Sequence, residues 1–407
     1  MWHPVSDEAR ARAREAVAEF RRKLAAAGEP SPEAVAAADR YQGAVGLDAK
    51  GDPQSPLTPL EAARNEETRF RAVRDPAALR RASGSMFGLA YGDALGRPTE
   101  FLTVAQIQRS YGWRGPHQLT GDPALVTDDT QMALAVGWAL HEVEAMTPAL
   151  LERTLRDRFV AWLRSPDNDR APGRTCLRAC EGLAAGLPWH EATIAGSKGC
   201  GANMRVTPVG LMPGYDLDTL AGVAQLQAAL THGHPTALAA SELTAYTVRL
   251  LREDTRLTEL PAALRARCRE QRTVYHEEWL GALWQRSDGA SPTEFIARGW
   301  DECLAALDRL DAAVAQPNYG GDPCLLTGAG WVAEEALTTA LLCVLAHPER
   351  PTNALTWAAS TSGDSDSIAA LTGAFVGAWK GMPGWPADWA DRIEYADQLA
   401  ALGAAWD

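Results

Sequence analysis

Gly84, Gly88, Gly92 and Gly96 stand four residues apart in an otherwise largely apolar run, and that stride limits the folds open to the chain. Residues at i and i+4 share one face of a helix. Each glycine inside a helix costs about 1 kcal/mol relative to alanine, so four on one face need a compensating contact. A face stripped of side chains suits another backbone at close range. The same stride joins helices in membranes, but Asp93, Arg97 and the short apolar length exclude that reading. The segment is predicted to be a buried core helix that ends near a site at Glu100.

The rest of the composition narrows the partners. At 407 residues the chain can bury a large core without disulfides or a structural metal. A formal net charge of −13 argues against a broad nucleic-acid-binding face and against adhesion to anionic lipid. The seven cysteines are irregularly spaced with no CxxC pair, which reads as reduced thiols in the cytoplasm. The N-terminal stretch lacks the apolar core of a secretory signal, and no apolar run approaches the roughly 20 residues of a membrane span.

Apolar residues at three- and four-residue steps predict helices over Thr130 to Glu144, Thr236 to Arg252, Glu334 to Ala346 and Ser367 to Lys380, while strand signals are weak. Ser31-Pro32, Asp75-Pro76 and Thr58-Pro59-Leu60-Glu61 each pair a capping side chain with proline at the first helical position. The expected fold is a compact all-α body over 79–407, preceded by a helical extension and a Gly/Pro-punctuated linker over 1–78.

Two acidic clusters lie far apart in the chain, Thr127-Asp128-Asp129-Thr130 and Ser362-Gly363-Asp364-Ser365-Asp366-Ser367. Taken singly, each is an ordinary helix cap. Taken together, four carboxylates with the Thr127 and Ser367 hydroxyls form a hard oxygen donor set. That set suits Mg²⁺, Mn²⁺ or Ca²⁺ rather than zinc. If the acids converge, cations must offset their repulsion, and a two-metal site fits the charge count.

Two glycine-rich segments, Gly199 to Arg205 and Thr327 to Trp331, would let a ligand approach backbone amides, with helix starts adding positive potential for a phosphate. Neither meets the dinucleotide fingerprint, and no P-loop occurs. Trp331 is open to two readings, an interior ring or a stacking platform for a base or sugar. His232 and His234 lack a third zinc ligand, so they read as a loop that prepares a helix at Pro235. Cys176 and Cys180, one turn apart, read as packing. No GxSxG elbow supports acyl transfer.

In order, GLAYGDALGRPTEF (88–101), TDDTQMALAVGWAL (127–140), GCGANMRVTPVGL (199–211), THGHPTALAASELTAY (231–246), TGAGWVAEEAL (327–337) and SGDSDSIAALTGAFVGA (362–378) resemble the ADP-ribosylglycohydrolase family. The resemblance runs from about residue 80 to the end. It implies an all-α orthogonal helical body that holds two Mg²⁺ or Mn²⁺ ions with Thr127, Asp128, Asp129, Asp364, Asp366 and Ser367. Many relatives carry threonine where Ser367 stands. Glu100 matches a catalytic or metal-linked carboxylate, and Trp331 an aromatic that lines the adenosine or ribose pocket. Gly199, Gly201, Asn203, Met204, Arg205, His232 and Gly330 fall in the segments that relatives place around the ligand, with the diphosphate resting on amides from 199–205.

The implied reaction is hydrolysis of the glycosidic bond joining ADP-ribose to a protein side chain, arginine being favoured. Its oxocarbenium-like transition state needs nearby carboxylates, for which Asp129 and Glu100 are the candidates, with Asp128 and Asp366 bridging the metals. Expected partners are an ADP-ribosylated protein and, for an immunity role, an ADP-ribosyltransferase toxin. The alternative is a non-catalytic binder that blocks such a toxin through the N-terminal extension.

Overall fold

The computed structural model describes residues 58, 60, 63, 64, 66, 79–287, 291–316 and 321–407. The reading of 1–78 as an extension, with its capping signals, lies almost wholly outside these residues. Among the helices are α1 (Arg81–Gly96), α2 (Asp128–Glu142), α3 (Pro148–Leu163), α4 (Leu217–Ala229), α5 (Pro235–Arg252), α6 (Pro292–Val314), α7 (Ala333–Ala346), α8 (Ser365–Lys380) and α9 (Ala396–Trp406). Among the described residues there is no strand, only isolated bridges such as Gly199 with Val332. The fold is all-α, as expected.

Local chemistry sets where these helices begin. Asp216 caps α4 by accepting from the Thr219 amide at 2.8 Å, and Ser291 caps α6 by accepting from the Glu294 amide at 3.2 Å, with Pro292 at the first helical position. His234 caps α5 through its ring, accepting from the Thr236 amide at 3.1 Å, so the His-Gly-His-Pro loop does prepare a helix. The helix predicted over Thr130 to Glu144 is displaced toward the N-terminus. Thr127 caps it, so it starts at Asp128, and Val143 turns extended at ψ 124°, so it stops at Glu142.

The glycine stride of α1 packs against α8, which runs antiparallel to it. A Cβ at Gly84, Gly88, Gly92 or Gly96 would collide with backbone of Gly381, Gly373, Ala369 and Asp366 respectively. The relation is reciprocal, because Gly373 and Gly377 face the carbonyls of Gly88 and Gly84. Every residue of α8, and every residue of α1 after Arg81, is buried. The two helices form the spine of the body, and dispersion attraction between their closely apposed backbones offsets the helix propensity that glycine forfeits. α9 packs on α1, α7 on α8, α6 on α5 and α7, and α3 on α2. The seven cysteines are all buried and unpaired to one another, with Cys176 and Cys180 in the core.

Candidate active site

Because α1 and α8 are antiparallel and their backbones touch, the C-terminal end of one meets the N-terminal end of the other. Ser365 Oγ donates to the Gly96 carbonyl at 3.1 Å, and Thr99 Oγ1 lies 3.0 Å from Ser365 Oγ. The turn after α1 therefore delivers Glu100 beside Asp364 and Asp366, and carboxylate oxygens of the three lie within 4.8 Å of one another.

The N-terminus of α2 is brought to the same place by a residue that sequence reasoning passed over. Asp93, fully buried in α1, accepts from the Thr127 amide at 3.0 Å, the Thr127 hydroxyl at 2.8 Å, the Thr130 amide at 3.0 Å and the Thr130 hydroxyl at 2.5 Å. Asp93 thus shares the capping of α2, from another helix, with Thr127, whose hydroxyl accepts from the Asp129 amide at 3.3 Å. The signal that marked it was an acid within an apolar, glycine-lined segment, a location that carries a cost unless its oxygens are used.

With the start of α2 satisfied by Asp93 and Thr127, the acids at 128 and 129 are released from capping duty. Asp364 occupies the N-cap position of α8, yet its carboxylate makes no cap bond. Asp128 accepts only a long contact from the Gly173 amide at 3.3 Å, and Asp129 Oδ1 is buried with no hydrogen-bond partner. The capping explanation of these two clusters therefore does not account for the side chains that matter.

Burial first, and mutual repulsion second, push every one of these acids above the usual carboxylate range. Asp93 and Asp128 rise to about 7, Glu100 to about 9, and Asp129 and Asp364 rise well above it, with Asp366 the leading charge acting on each. Asp366 is raised by burial as well, although bonds from the Ser367 amide and neighbouring carboxyls pull it back. No Lys or Arg is among the charges that chiefly shift this group. An orphaned buried carboxylate oxygen in a set of hard oxygen donors with no cationic partner fits a divalent cation site.

The glycine-rich segments close one side of the cluster. Gly199 bridges to Val332, with the Cys200 amide donating to the Trp331 carbonyl at 3.1 Å and the Ala333 amide to the Lys198 carbonyl at 3.0 Å. Lys198 Nζ, held by Glu302 at 2.7 Å and Glu334 at 2.5 Å, clamps this pairing. The Asp364 amide donates to the Ala329 carbonyl at 2.8 Å, and Gly330, at φ 82°, lies against Ile368 and Asp364. Ser367 Oγ reaches Met204 Sδ at 3.8 Å. His232 Nε2 would abut a side chain at Gly199 or Gly201.

Trp331 is 43% exposed and stacks on Phe101, centroids 5.6 Å apart and planes 14° apart, so the interior reading of this ring fails. Phe101, at φ 65° and directly after Glu100, was absent from the sequence reading. Two residues of the Gly199 to Arg205 segment turn inward instead. Asn203 Nδ2 donates to the Ala333 carbonyl at 3.0 Å, and Arg205 lies sealed below the turn with its guanidinium over the Phe159 ring.

Two helix starts and one helix end of an all-α body thus bring six carboxyls together beside paired glycine loops. A family model described as ADP-ribosylglycohydrolase matches residues 74–406, and the chain belongs to that family. The chain is 36% identical over 170 residues to the ADP-ribosyl-[dinitrogen reductase] glycohydrolase of Rhodospirillum rubrum, a match covering 39% of this chain and 54% of that relative. Only about half of that relative is therefore spanned. It is 24% identical to the ADP-ribosylarginine hydrolase Tri1 of Pseudomonas putida, covering 86% of this chain and 83% of the relative. A solved structure titled ADP-ribosylglycohydrolase-related protein complex superposes with a TM-score of 0.54 at 25% identity, covering 80% of this chain and 96% of that one.

Proposed function

We propose that the chain hydrolyses the glycosidic bond between ADP-ribose and a modified protein side chain, with arginine the preferred linkage. The observation that carries the reading is the convergence of half-buried Glu100 with buried Asp364 and Asp366, close enough to Asp128 and the orphaned Asp129 oxygen for Asp366 to act on both. The arginine preference is supported by two relatives named ADP-ribosylarginine hydrolase, from Pseudomonas putida and Serratia proteamaculans.

Thr127, Asp128, Asp129, Asp364, Asp366 and Ser367 would hold a pair of Mg²⁺ or Mn²⁺ ions. Such ions supply Lewis acidity toward sugar hydroxyls and a more acidic bound water. The chain's own groups do the remaining work. Glu100, half-buried beside Asp364 and Asp366, stands where a carboxyl can pass a proton to a leaving nitrogen or oxygen. Asp129 offers negative charge to an anomeric carbon that becomes cationic as the bond stretches. The turn through Gly199 and Gly201, which carries no side chain at those positions, is where a diphosphate would rest, and Trp331 with Phe101 offers a flat apolar surface for a base or ribose.

The test is incubation with ADP-ribosylated arginine and serine peptides in Mg²⁺, with chelated controls and Asp366→Ala. Release of free ADP-ribose from the arginine peptide, lost on chelation and in the variant, is expected. Release that survives complete chelation would overturn the cation requirement. The same activity would undo the mark left by an ADP-ribosyltransferase toxin. A chain used in that way loses protection in Asp366→Ala, whereas a non-catalytic blocker keeps it.

A further inference from the structure

Arg205 is an unusual residue to find where it is. Its side chain is fully buried, and its described partners are Gln227 Oε1 at 2.9 Å, the Gln227 carbonyl at 2.7 Å, Thr231 Oγ1 at 2.8 Å and, at longer range, Met132 Sδ and Cys176 Sγ. None of these is a carboxylate. A guanidinium buried with no carboxylate in hydrogen-bond reach, Asp128 acting on it only through space, is expensive unless its donors are put to use, and here one of them is spent on a hydroxyl.

That hydroxyl has one proton to give. Thr231 Oγ1 accepts from Arg205, lies 2.8 Å from His232 Nδ1 and 3.5 Å from the Ala228 carbonyl. A guanidinium can only donate, so it occupies an acceptor position on the oxygen. At 2.8 Å against 3.5 Å the imidazole competes better than the Ala228 carbonyl for the hydroxyl proton, an arrangement that makes Nδ1 an acceptor and leaves the ring proton on Nε2. Burial, and then the Arg205 charge, lower the imidazole to about 3, so the ring is neutral and cannot carry both protons.

Nε2 points at bare backbone. A Cβ at Gly201 would stand 3.3 Å from it and one at Gly199 3.4 Å, and no described residue bonds to it. Glycine at both positions keeps side chains off this nitrogen, although the ring itself is buried.

We infer that Arg205, acting through Thr231, holds His232 as the neutral tautomer whose Nε2–H donates into the Gly199–Gly201 turn, to an anionic oxygen of the ligand. Arg205 and Thr231 are positioning residues in this scheme, and the guanidinium serves the site from below without touching what binds there. The inference rests on the reading that this turn receives the diphosphate of ADP-ribose.

The experiment uses the full chain with ¹⁵N-labelled histidine, without metal or ligand, and long-range proton–nitrogen spectra at pH 7. His232→Gln assigns the ring. The expected spectrum has a pyridine-type Nδ1 and a proton-bearing Nε2. Thr231→Val, which replaces the hydroxyl with a methyl of similar volume, is expected to move both nitrogens toward a mixture of tautomers and to weaken free ADP-ribose about tenfold. Thr231→Ser restores both, and Arg205→Met shifts the ring in the same direction as Thr231→Val. A wild-type ring protonated on Nδ1, or unchanged spectra in Thr231→Val, would overturn the inference. Altered spectra with unaltered affinity would overturn its ligand half. Should Arg205→Met fail to fold, the wild-type spectrum and the Thr231 pair still decide. The spectra are recorded without ligand, so absence of hydrolysis strikes the proposed function and leaves this result standing or falling by itself.

Discussion

Asp93 holds Thr127 by its amide at 3.0 Å and its hydroxyl at 2.8 Å, across the interface between α1 and α2. The Thr127 hydroxyl proton is thereby directed at a buried carboxylate, and of its two acceptor positions one takes the Asp129 amide at 3.3 Å, leaving the other for a cation or a water. One acid thus organises the segment that presents two others.

Asp93→Asn keeps one acceptor oxygen and places an amide group where four donors converge. It is expected to destabilise the chain by about 1–3 kcal/mol in urea unfolding and to reduce ADP-ribose release more than that loss explains. Equal activity per folded molecule would show that Asp93 serves stability alone.

Gly92→Ala puts a methyl into the Ala369 carbonyl, and backbone cannot retreat as a side-chain tip can. A loss of about 3 kcal/mol or more is expected by thermal or urea denaturation. Gly196→Ala, which meets nothing within 4 Å, serves as the control and should change stability by less than about 0.5 kcal/mol.

The acid cluster sets the pH response. Carboxyls whose folded values lie above their unfolded ones bind more protons in the folded state, so stability falls as pH rises between the two values. With Asp93 and Asp128 near 7 and Glu100 near 9, the metal-free chain should lose melting temperature steadily from pH 5 to pH 9. Saturating Mg²⁺ should flatten or reverse that slope, because a bound cation favours the ionised acids. A flat metal-free profile would contradict the convergence of these groups.

Asp366 is the leading charge on each of its neighbours, so its neutralisation has the widest effect. Asp366→Asn is expected to abolish the Mg²⁺-induced rise in melting temperature and to lower hydrolysis by about 100-fold or more, while the metal-free chain becomes more stable at pH 8. Calorimetry with and without Mg²⁺ separates these effects.

Trp331→Ala removes the exposed partner of Phe101 and should weaken ADP-ribose about tenfold, with Trp331→Phe recovering most of the loss. Titration calorimetry with free ADP-ribose reads this directly. No change in the alanine variant would mean that the stacked pair lies outside the binding surface.

The sequence by itself determined the helices, the start at Pro235, and the demand of the Gly84 to Gly96 face for a backbone partner, because these follow from the spacing and chemistry of near neighbours. It also marked the two acidic clusters, since so many carboxylates at helix starts are conspicuous whatever surrounds them. Only the tertiary structure decided which backbone met the glycines, and so which end of α8 came to Glu100. The same packing decided that Asp93 would cap α2 and free Asp128 and Asp129, that Phe101 would stack on Trp331, and that Arg205 would reach His232 from below. Each of these joins residues distant in the chain, and their orientation is set by close packing, which no local spacing encodes.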